Sequence, residues 1–337
     1  MQAASMAYTL ATRPDRLSLR EALADRHNGA STRKQTQGSE VRALEDLLAF
    51  LRVADCLPEV VTEADANAYV DHLNAGPLSH PTKKTRLSCL GRLWGTRKVK
   101  SQLARNAPNL WRGHDVKGGR KSTDEVNEEE TGRNWTEAEM VRVFTAPDAA
   151  DKRRRTYSRP LLRELYVVGF ATGMRLDEIT SLRAQDVTTV DRGVVVNVRK
   201  AKTEAGVRSI PVTHPAAVRV LSARAKAQTD AKGLLFHECR PGGPDNKTSW
   251  HVSKAMGRDR HKLGLKEVTF HSTRGTFMTL QENAGTNVVH VQRYVGHVID
   301  TVMHKDYSAG STVETLRAIA HAVLFAPRIE AELAKTA

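Results

Sequence analysis

In the N-terminal third of the chain, apolar residues recur three and four positions apart, which is the spacing that lines one face of an α-helix. Thr62 is a good helix N-cap, and Gly76 followed by Pro77 ends a helix in the same stretch. We therefore predict a small all-helical domain over residues 16–115, after a disordered N-terminus over residues 1–15. Its predicted helices cover 17–24, 40–53, 62–74 and 81–96.

A new pattern begins near Trp135. Thr136 and Glu139 are three residues apart, as in the capping box that opens a helix. The residues that follow are apolar enough in places to predict buried or amphipathic helices. These helices are predicted over 161–172, from 249 onward, and over 311–325, where Pro327 breaks the last one.

A β-hairpin is predicted between these helices. Residues 194–198 alternate like a strand, 203–206 supply a turn, and 208–212 can return antiparallel. Residues 116–134 contain glycines and small polar residues without apolar periodicity, so they are predicted to be a linker. The second domain then covers residues 135–337. The predicted fold class is mostly α with a small β-sheet or hairpin (α+β).

The charge of the chain points to a polyanionic partner. The formal net charge is +14 and the isoelectric point is near 9.9. Nucleic acid is the first candidate and an anionic membrane is the second. No apolar run approaches ~18 residues, and the N-terminus lacks the basic-then-apolar pattern of a secretory signal. We therefore expect a cytoplasmic, nucleoid-associated protein with no membrane contact.

The cysteines and the phosphate-loop motifs narrow the chemistry further. Cys56, Cys89 and Cys239 are scattered and odd in number, with no C-x-x-C spacing, so they are predicted to be reduced, mostly buried thiols. No zinc or other metal site is predicted from them. A G-x-x-x-x-G-K-S/T loop is also missing, so the sequence gives no indication of ATP use. We expect no cofactor.

Positive charge is concentrated at the end of the first domain. Residues 83–121 hold twelve Lys or Arg and one acid, Asp115, which is a net +11 over thirty-nine residues. A solvated helix face is the ordinary explanation of such a run, but it usually carries compensating acids, so we favour phosphate contact. A second basic cluster covers 152–155. The predicted DNA-binding residues are Lys83, Lys84, Arg86, Arg97, Lys98, Lys100, Arg153 and Arg154.

Arg175 is the first residue with chemical interest. It follows Gly173 by two positions at a predicted turn, where its planar guanidinium can be presented to two phosphate oxygens at once. Glu178, three residues on, could hold that guanidinium in place. An Arg-x-x-Glu pair taken alone is more often a structural salt bridge than a site.

Lys202 lies near the tip of the predicted hairpin. It could donate a proton to a leaving oxygen, although a lysine on a turn is normally only solvated, and Lys200 is an open alternative. His271 and Arg274 share one side of a helix predicted to start near Thr269. An H-x-x-R match of this kind is expected about once by chance in a chain so rich in these residues.

His297 and Tyr307 complete the set of candidates. His297 follows Gly296, and a buried or capping histidine is the ordinary explanation of any single His. Tyr307 is one of six tyrosines. A phenol has a pKa near 10, so it needs neighbouring groups before it can attack anything at neutral pH.

The order of these residues in one basic domain resembles the tyrosine recombinases, the phage integrase family. The family's first arginine box is similar to T-G-x-R-x-x-E-(apolar)-x-x-L-x-x-x-D, and residues 172–186 match it throughout. The family's hairpin lysine falls on Lys202 in its K-T-x-x-G context, its H-x-x-R on His271 and Arg274, its G-H on Gly296 and His297, and its nucleophile on Tyr307.

The resemblance covers residues 135–323 well and extends more loosely to 17–115, which look like the family's helical core-binding domain. It implies two domains that form a C-shaped clamp on duplex DNA. One departure concerns the nucleophile. Tyr307 follows His297 by ten positions, one more than is usual, which implies an extra residue in the intervening loop.

The chemistry that the resemblance implies needs neither metal nor ATP. The two arginines clamp the scissile phosphate, with Glu178 in support, and Tyr307 attacks phosphorus to form a 3′-phosphotyrosyl bond. Lys202 protonates the departing 5′-oxygen, His271 assists proton removal from the tyrosine, and His297 donates a hydrogen bond to the phosphate. The implied activity is site-specific recombination or integration of double-stranded DNA.

The implied assembly is a dimer on each site and a homotetramer on synapsed DNA, with an accessory directionality factor as a further partner. Whether the C-terminal helix docks on its own protomer or on a neighbour is left open. Two alternatives remain at this point. One is a type IB-like topoisomerase, and the other is a basic DNA-binding regulator without catalysis.

Overall fold

The computed structural model describes residues 2–12, 16–29, 32–116, 133–147, 157–199, 206–299 and 311–335. The chain divides into two compact units, Met1–Asp124 and Glu125–Ala337. The fold is mostly helical (59%) with one small three-stranded antiparallel sheet among the described residues. The predicted fold class is therefore confirmed. Most of the predicted linker, residues 117–132, lies outside the described residues.

The described part of the first unit is helical. A short 3-10 turn, Pro58–Val60, separates the third and fourth helices. The predicted N-cap at Thr62 is present: its hydroxyl accepts from the amide of Asp65 at 3.2 Å, and the Asp65 carboxylate accepts from the amide of Thr62 at 2.9 Å. The helices are α1 (Gln2–Thr12), α2 (Leu19–Gly29), α3 (Lys34–Leu51), α4 (Glu63–Ala75), α5 (His80–Trp94) and α6 (Arg97–Lys100).

Helix α1 corrects the predicted disorder of the N-terminus. Its sequence, QAASMAYTLAT, is rich in alanine and has neither glycine nor proline, so its intrinsic helix propensity is high. Met6 is buried in the core of this unit and gives the helix an apolar anchor. The apolar pattern was too short to reveal that contact.

Glu40 holds α2, α3 and α5 together. Its buried carboxylate, 1% exposed, accepts hydrogen bonds from Arg26 at 3.1 Å, Arg92 at 3.0 Å and His27 at 3.0 Å. Burial raises the pKa of Glu40, but its hydrogen bonds to these three side chains outweigh burial and leave the pKa below its ordinary value. A buried charge with three partners fixes the orientation of the basic helix α5.

The second unit surrounds a helix that is buried along nearly its whole length, α8. Trp135 packs edge-on against Tyr166 and Phe170 of that helix, at ring-centroid distances of 5.5 Å. The helices of this unit are α7 (Glu137–Thr145), α8 (Arg159–Thr172), α9 (Leu176–Thr180), α10 (Pro215–Ala227), α11 (Ser249–Lys262), α12 (Ser272–Asn283), α13 (Val288–Val295), α14 (Val313–His321) and α15 (Pro327–Ala334).

The sheet contains the predicted hairpin and one strand that the sequence did not reveal. The strands are β1 (Val187–Val190), β2 (Gly193–Val198) and β3 (Arg208–Val212), in the order β1-β2-β3. Val196 pairs with Val187 of β1 and with Ile210 of β3. Alternate residues of β2 are buried, as the alternating pattern predicts.

The C-terminal helices pack on their own unit. Helix α14 lies against β3 and α13, and α15 lies against α7 and α10. Pro327 is not a helix breaker here, because it occupies the first turn of α15, where a missing N–H costs nothing. No helix of the described residues is long and apolar enough to span a membrane.

Candidate active site

A glycine turn at the end of α8 presents Arg175. Gly173 is left-handed, with φ of 60°, and its N–H donates to the carbonyl of Gly169 at 2.9 Å. A Cβ at this position would lie 2.8 Å from Cδ1 of Phe277, so both the backbone conformation and the available space require glycine. The next turn starts α9, with Arg175 as its N-cap and 29% of its side chain exposed.

Glu178 lies between two guanidinium groups. Its carboxylate accepts from Nη1 of Arg175 at 2.7 Å and from Nη2 of Arg208 at 3.2 Å. It also accepts from the amide of Arg175 at 3.0 Å. Burial raises the pKa of Glu178, but the charges and hydrogen bonds of Arg208 and Arg175 outweigh it, so the pKa is lowered and the group is a carboxylate.

Arg274 is a buried cation with free donors. Its residue is 2% exposed, and Nη1 donates to the carbonyl of Gly173 at 2.8 Å. Within the described part of the chain, Nε and Nη2 are buried without a hydrogen-bond partner. Burial first, and then the charge of Arg175, lower the pKa of Arg274 to about 9. An anion such as a phosphodiester would supply the missing partner.

His271 stands at the start of the same helix. It is the N-cap residue of α12, one turn before Arg274, so the two side chains share one end of the helix. The residue is exposed. Two effects lower the pKa of His271 below its ordinary value. The larger is the partial burial of the imidazole, and the smaller is the positive charge of Arg274 and Arg175. The imidazole is therefore neutral at pH 7 and able to accept a proton.

His297 follows a second left-handed glycine. Gly296 ends α13 with φ of 71°, and the amide of His297 donates to the carbonyl of Gln292 at 2.8 Å. Burial, then Arg274, then Arg175, lower the pKa of His297. Because the same two arginines act on both imidazoles, the four groups lie within one positively charged region of the second unit.

Tyr294 is excluded as a nucleophile. It is fully buried and its hydroxyl donates to the carbonyl of Pro211 at 2.7 Å. Burial raises the pKa of Tyr294, so its phenolate is strongly disfavoured. Tyr307, the predicted nucleophile, lies outside the described residues, as do Lys200 and Lys202.

Ser311 binds two side chains of α13. The hydroxyl of Ser311 lies 2.8 Å from Nδ1 of His290 and accepts from Nη1 of Arg293 at 3.2 Å. Both partners belong to α13, the helix that ends at Gly296. The residue four positions after the predicted nucleophile is therefore held against the helix that carries the glycine–histidine pair.

Sequence reasoning missed Arg208. Its side chain is 7% exposed and pairs with Glu178, and its Nε donates to the carbonyl of Tyr294 at 2.6 Å. The only signal in the sequence is a charged residue at the start of a strand whose later residues are apolar. That signal is weak, because Glu178 and Tyr294, the two distant partners of Arg208, are 30 and 86 residues away.

The predicted DNA-binding residues of the first unit differ in their surroundings. Lys83 is 6% exposed and its ammonium donates to the carbonyl of Asn74 at 3.2 Å, so it caps α4 instead of facing solvent. Arg86 is partly covered and pairs with Asp46 at 2.7 Å. Arg153 and Arg154 lie outside the described residues. The exposed members are Lys84, Arg97, Lys98 and Lys100.

The described residues contain no candidate set of metal ligands. Across the described ranges, no group of three or more His, Cys, Asp or Glu could hold a metal ion. The three cysteines are free and buried. The site is instead built from cations, two neutral imidazoles and one buried carboxylate, which together suit an oxyanion.

Comparison with known proteins assigns the second unit to a family. A model described as the phage integrase family matches residues 134–311, slightly more than half of the chain. No curated protein matches the sequence significantly.

Solved structures show the same fold over most of the chain. The integrase of transposon Tn1549 in complex with circular intermediate DNA is 18% identical with a TM-score of 0.61, covering 91% of this chain and 100% of that one. The same integrase with transposon right end DNA is 20% identical with a TM-score of 0.60, covering 90% and 98%. A lambda integrase dimer bound to a core site is 17% identical with a TM-score of 0.57, covering 88% and 99%.

Proposed function

The chain belongs to the phage integrase family of tyrosine recombinases and is a site-specific recombinase, and from this premise we propose how its residues break and rejoin DNA. The proposed reaction cuts duplex DNA through a covalent 3′-phosphotyrosyl bond on Tyr307 and passes the strand to a new 5′-hydroxyl. The bond energy stays in the protein–DNA ester, so the reaction is balanced without an external energy source.

One observation carries this proposal. The buried guanidinium of Arg274 has two donors without partners among the described residues, in a region that it shares with Arg175. A scissile phosphate would accept hydrogen bonds from both arginines and neutralise the excess positive charge. In the transition state, the phosphoryl oxygens gain charge, so preorganised cations stabilise it more than the ground state.

The remaining roles are proposed from the family motif that each residue matches, and for His271 also from its electrostatics. We assign His271, neutral at pH 7, to proton removal from Tyr307, because its lowered pKa keeps it unprotonated. His297 donates a hydrogen bond to the phosphate. Lys202, with Lys200 as the alternative, protonates the departing 5′-oxygen. Glu178 does not contact DNA in this assignment and holds Arg175 in place.

Double-stranded DNA is the proposed substrate and partner. The similar Tn1549 integrase structures are complexes with transposon right end DNA and with circular intermediate DNA, and the similar lambda integrase structure is a dimer bound to a core site. We propose that Lys84, Arg97, Lys98 and Lys100 contact DNA phosphates, since all four are exposed and belong to the same basic stretch of the sequence. Arg153 and Arg154 are proposed contacts from the sequence alone.

We propose that the two units close on DNA as a clamp, with a dimer on each site and a tetramer at the synapse. An accessory directionality factor would bias integration or excision. The protein would act on the nucleoid, in the cytoplasm. The chain divides into two units, each with its own core, so each unit can contact DNA separately.

Covalent trapping tests the proposed function. The protein is incubated with a library of duplex fragments covering the DNA that flanks its gene, and detergent-resistant protein–DNA adducts are isolated and sequenced. The recovered site is then rebuilt as a duplex with a nick next to the cleavage position. The short 5′-hydroxyl fragment diffuses away after cleavage, which traps the tyrosyl ester.

We expect an adduct with the wild-type protein and recombinant products from two intact sites. Absence of any adduct across the library contradicts the proposal. Relaxation of supercoiled DNA without recombinants would instead identify a topoisomerase. Binding without an adduct would identify a regulator.

A further inference from the structure

Arg208 contacts two distant parts of the second unit, and a carbonyl two residues before it, with one side chain. Its Nε donates to the carbonyl of Tyr294 at 2.6 Å, and its Nη1 donates to the carbonyl of Gly206 at 2.7 Å. Its Nη2 donates to the Glu178 carboxylate at 3.2 Å. The side chain is 7% exposed, so these contacts are made away from bulk water.

Two of these contacts lead directly to the candidate site. Glu178 binds Arg175, which faces the proposed phosphate position. Tyr294 lies in the last turn of α13, two residues before the left-handed Gly296 that turns the chain toward His297. Arg208 therefore joins the α9 part of the site to the α13 part, which are more than a hundred residues apart in the chain.

The fork of the guanidinium is what allows this connection. Its N–H groups point in fixed directions in one plane, so a carboxylate and two carbonyls can be bound at once. A lysine places its donors on a single nitrogen, which can keep the ion pair but not all three directions. Removing the cation leaves Glu178 with one partner and leaves two backbone carbonyls without theirs.

We propose that Arg208 is a positioning residue, which sets Arg175, through Glu178, at a fixed distance from the Gly296–His297 end of α13. Arg208 itself does not touch DNA. This inference rests on the proposed function, because it assigns Arg175 and His297 to the same phosphate. A displacement of about 1 Å between two such groups is enough to cost on the order of 100-fold in rate.

The test is single-turnover cleavage of the nicked duplex at saturating protein, comparing wild type with Arg208→Lys and Arg208→Ala. The first-order rate constant and the cleaved fraction are measured separately, together with duplex affinity. Arg224→Ala is the matched control, since Arg224 is also a poorly exposed arginine that joins two carboxylates of this unit, Glu164 and Glu238.

For Arg208→Lys we expect a rate constant lower by about 10- to 100-fold, with the cleaved fraction and duplex affinity within about threefold of wild type. Arg208→Ala should lose at least as much. Arg224→Ala should lower thermal stability while keeping the wild-type rate constant, because Arg224 contacts no residue of the site.

The possible outcomes distinguish a failure of the proposed function from a failure of the inference about Arg208. If wild type forms no adduct, the proposed function fails before Arg208 is tested. If wild type cleaves and Arg208→Lys has the same rate constant, the inference is overturned. A smaller cleaved fraction at an unchanged rate constant would show a purely structural role and would also overturn it, as would a loss confined to DNA affinity. If Arg208→Ala does not fold, Arg208→Lys alone decides.

Discussion

Nη1 of Arg274 donates a hydrogen bond of 2.8 Å to the backbone carbonyl of Gly173, joining two residues that are 101 positions apart. This bond fixes the guanidinium on the turn that presents Arg175. The donors left over are Nε and Nη2, which are buried without partners in the part of the chain that the structure describes. The fold thus joins the two arginine motifs of the sequence at one turn, where we propose that they bind the phosphate.

Arg274→Lys should nearly abolish cleavage while leaving DNA binding largely intact. A lysine cannot bind the Gly173 carbonyl and also present two donors to a phosphate. We expect the cleavage rate constant to fall by about 10²–10³-fold, as for loss of one transition-state donor. Duplex affinity, measured by titration, should stay within about tenfold, because binding is spread over many phosphate contacts. A rate constant near wild type would remove Arg274 from the mechanism.

Gly173→Ala should destabilise the second unit. The residue is left-handed, and a Cβ would meet the Phe277 ring at 2.8 Å, so we expect a loss of about 1–3 kcal/mol in the free energy of unfolding. Gly257→Ala is the control in the same unit, since Gly257 lies within α11 and a Cβ there meets only Arg260 at 3.9 Å. That change should stabilise by about 0.5–1 kcal/mol. Denaturant unfolding of both variants measures the two changes in the free energy of unfolding. Equal changes in the two variants would contradict the prediction.

The pH dependence of cleavage should reflect a histidine with a lowered pKa. In the proposed mechanism the neutral imidazole of His271 is the active form, so the rate should be retained at pH 7 and lost as pH falls through a pKa below 6.5. Rates at sub-saturating DNA report on the free protein and are the appropriate measurement. The variant His271→Gln should cleave slowly, and its cleavage rate should not show this loss at low pH. An acid limb centred above pH 6.5 in the wild type would contradict the assignment.

Tyr294→Phe should keep its cleavage activity, in contrast to Tyr307→Phe. The Tyr294 hydroxyl is committed to the carbonyl of Pro211, so its loss leaves a buried acceptor unpaired and costs about 1–3 kcal/mol of stability. Adduct formation below the melting temperature should nevertheless match wild type. If Tyr294→Phe folds and forms no adduct, the assignment of the nucleophile is wrong.

The choice between Lys200 and Lys202 can be made with a sulfur substrate. A 5′-bridging phosphorothiolate leaves as a thiolate, which needs no proton from a general acid. Loss of the true general acid should lower cleavage of ordinary DNA by about 10²–10⁴-fold and leave the sulfur substrate almost unaffected. We expect this pattern for Lys202→Ala and not for Lys200→Ala. The reverse pattern would assign the role to Lys200.

Local signals explain which parts of the fold were predictable. The capping residues Thr62 and Thr136 start helices where the sequence indicated, because an N-cap is decided by residues within one turn. The alternation in β2 also predicted the hairpin, with β3 as the returning strand. By contrast, β1 has the short sequence VTTV, and among the described strands it pairs with β2 alone. Its existence depends on pairing and not on its own pattern.

Site residues that belong to a family motif could be proposed from the sequence. Residues whose role depends on contacts with distant parts of the chain could not. Arg175 and Arg274 belong to two separate motifs, and Arg274 binds the turn that presents Arg175, although neither arginine would be convincing alone. The burial of Lys83 and the bridging role of Arg208 depend on carbonyl and carboxylate groups brought close by the fold. No periodicity or spacing in the sequence encodes those partners.

The most direct test of the account is to identify the residue that carries DNA in the trapped adduct. Trypsin cuts after Arg293, Lys305 and Arg317, so it separates Tyr294 (residues 294–305) from Tyr307 (residues 306–317). After nuclease digestion, mass spectrometry should find the nucleotide on the peptide 306–317, attached to Tyr307. A nucleotide on another peptide, or on a residue other than tyrosine, would contradict the proposed mechanism.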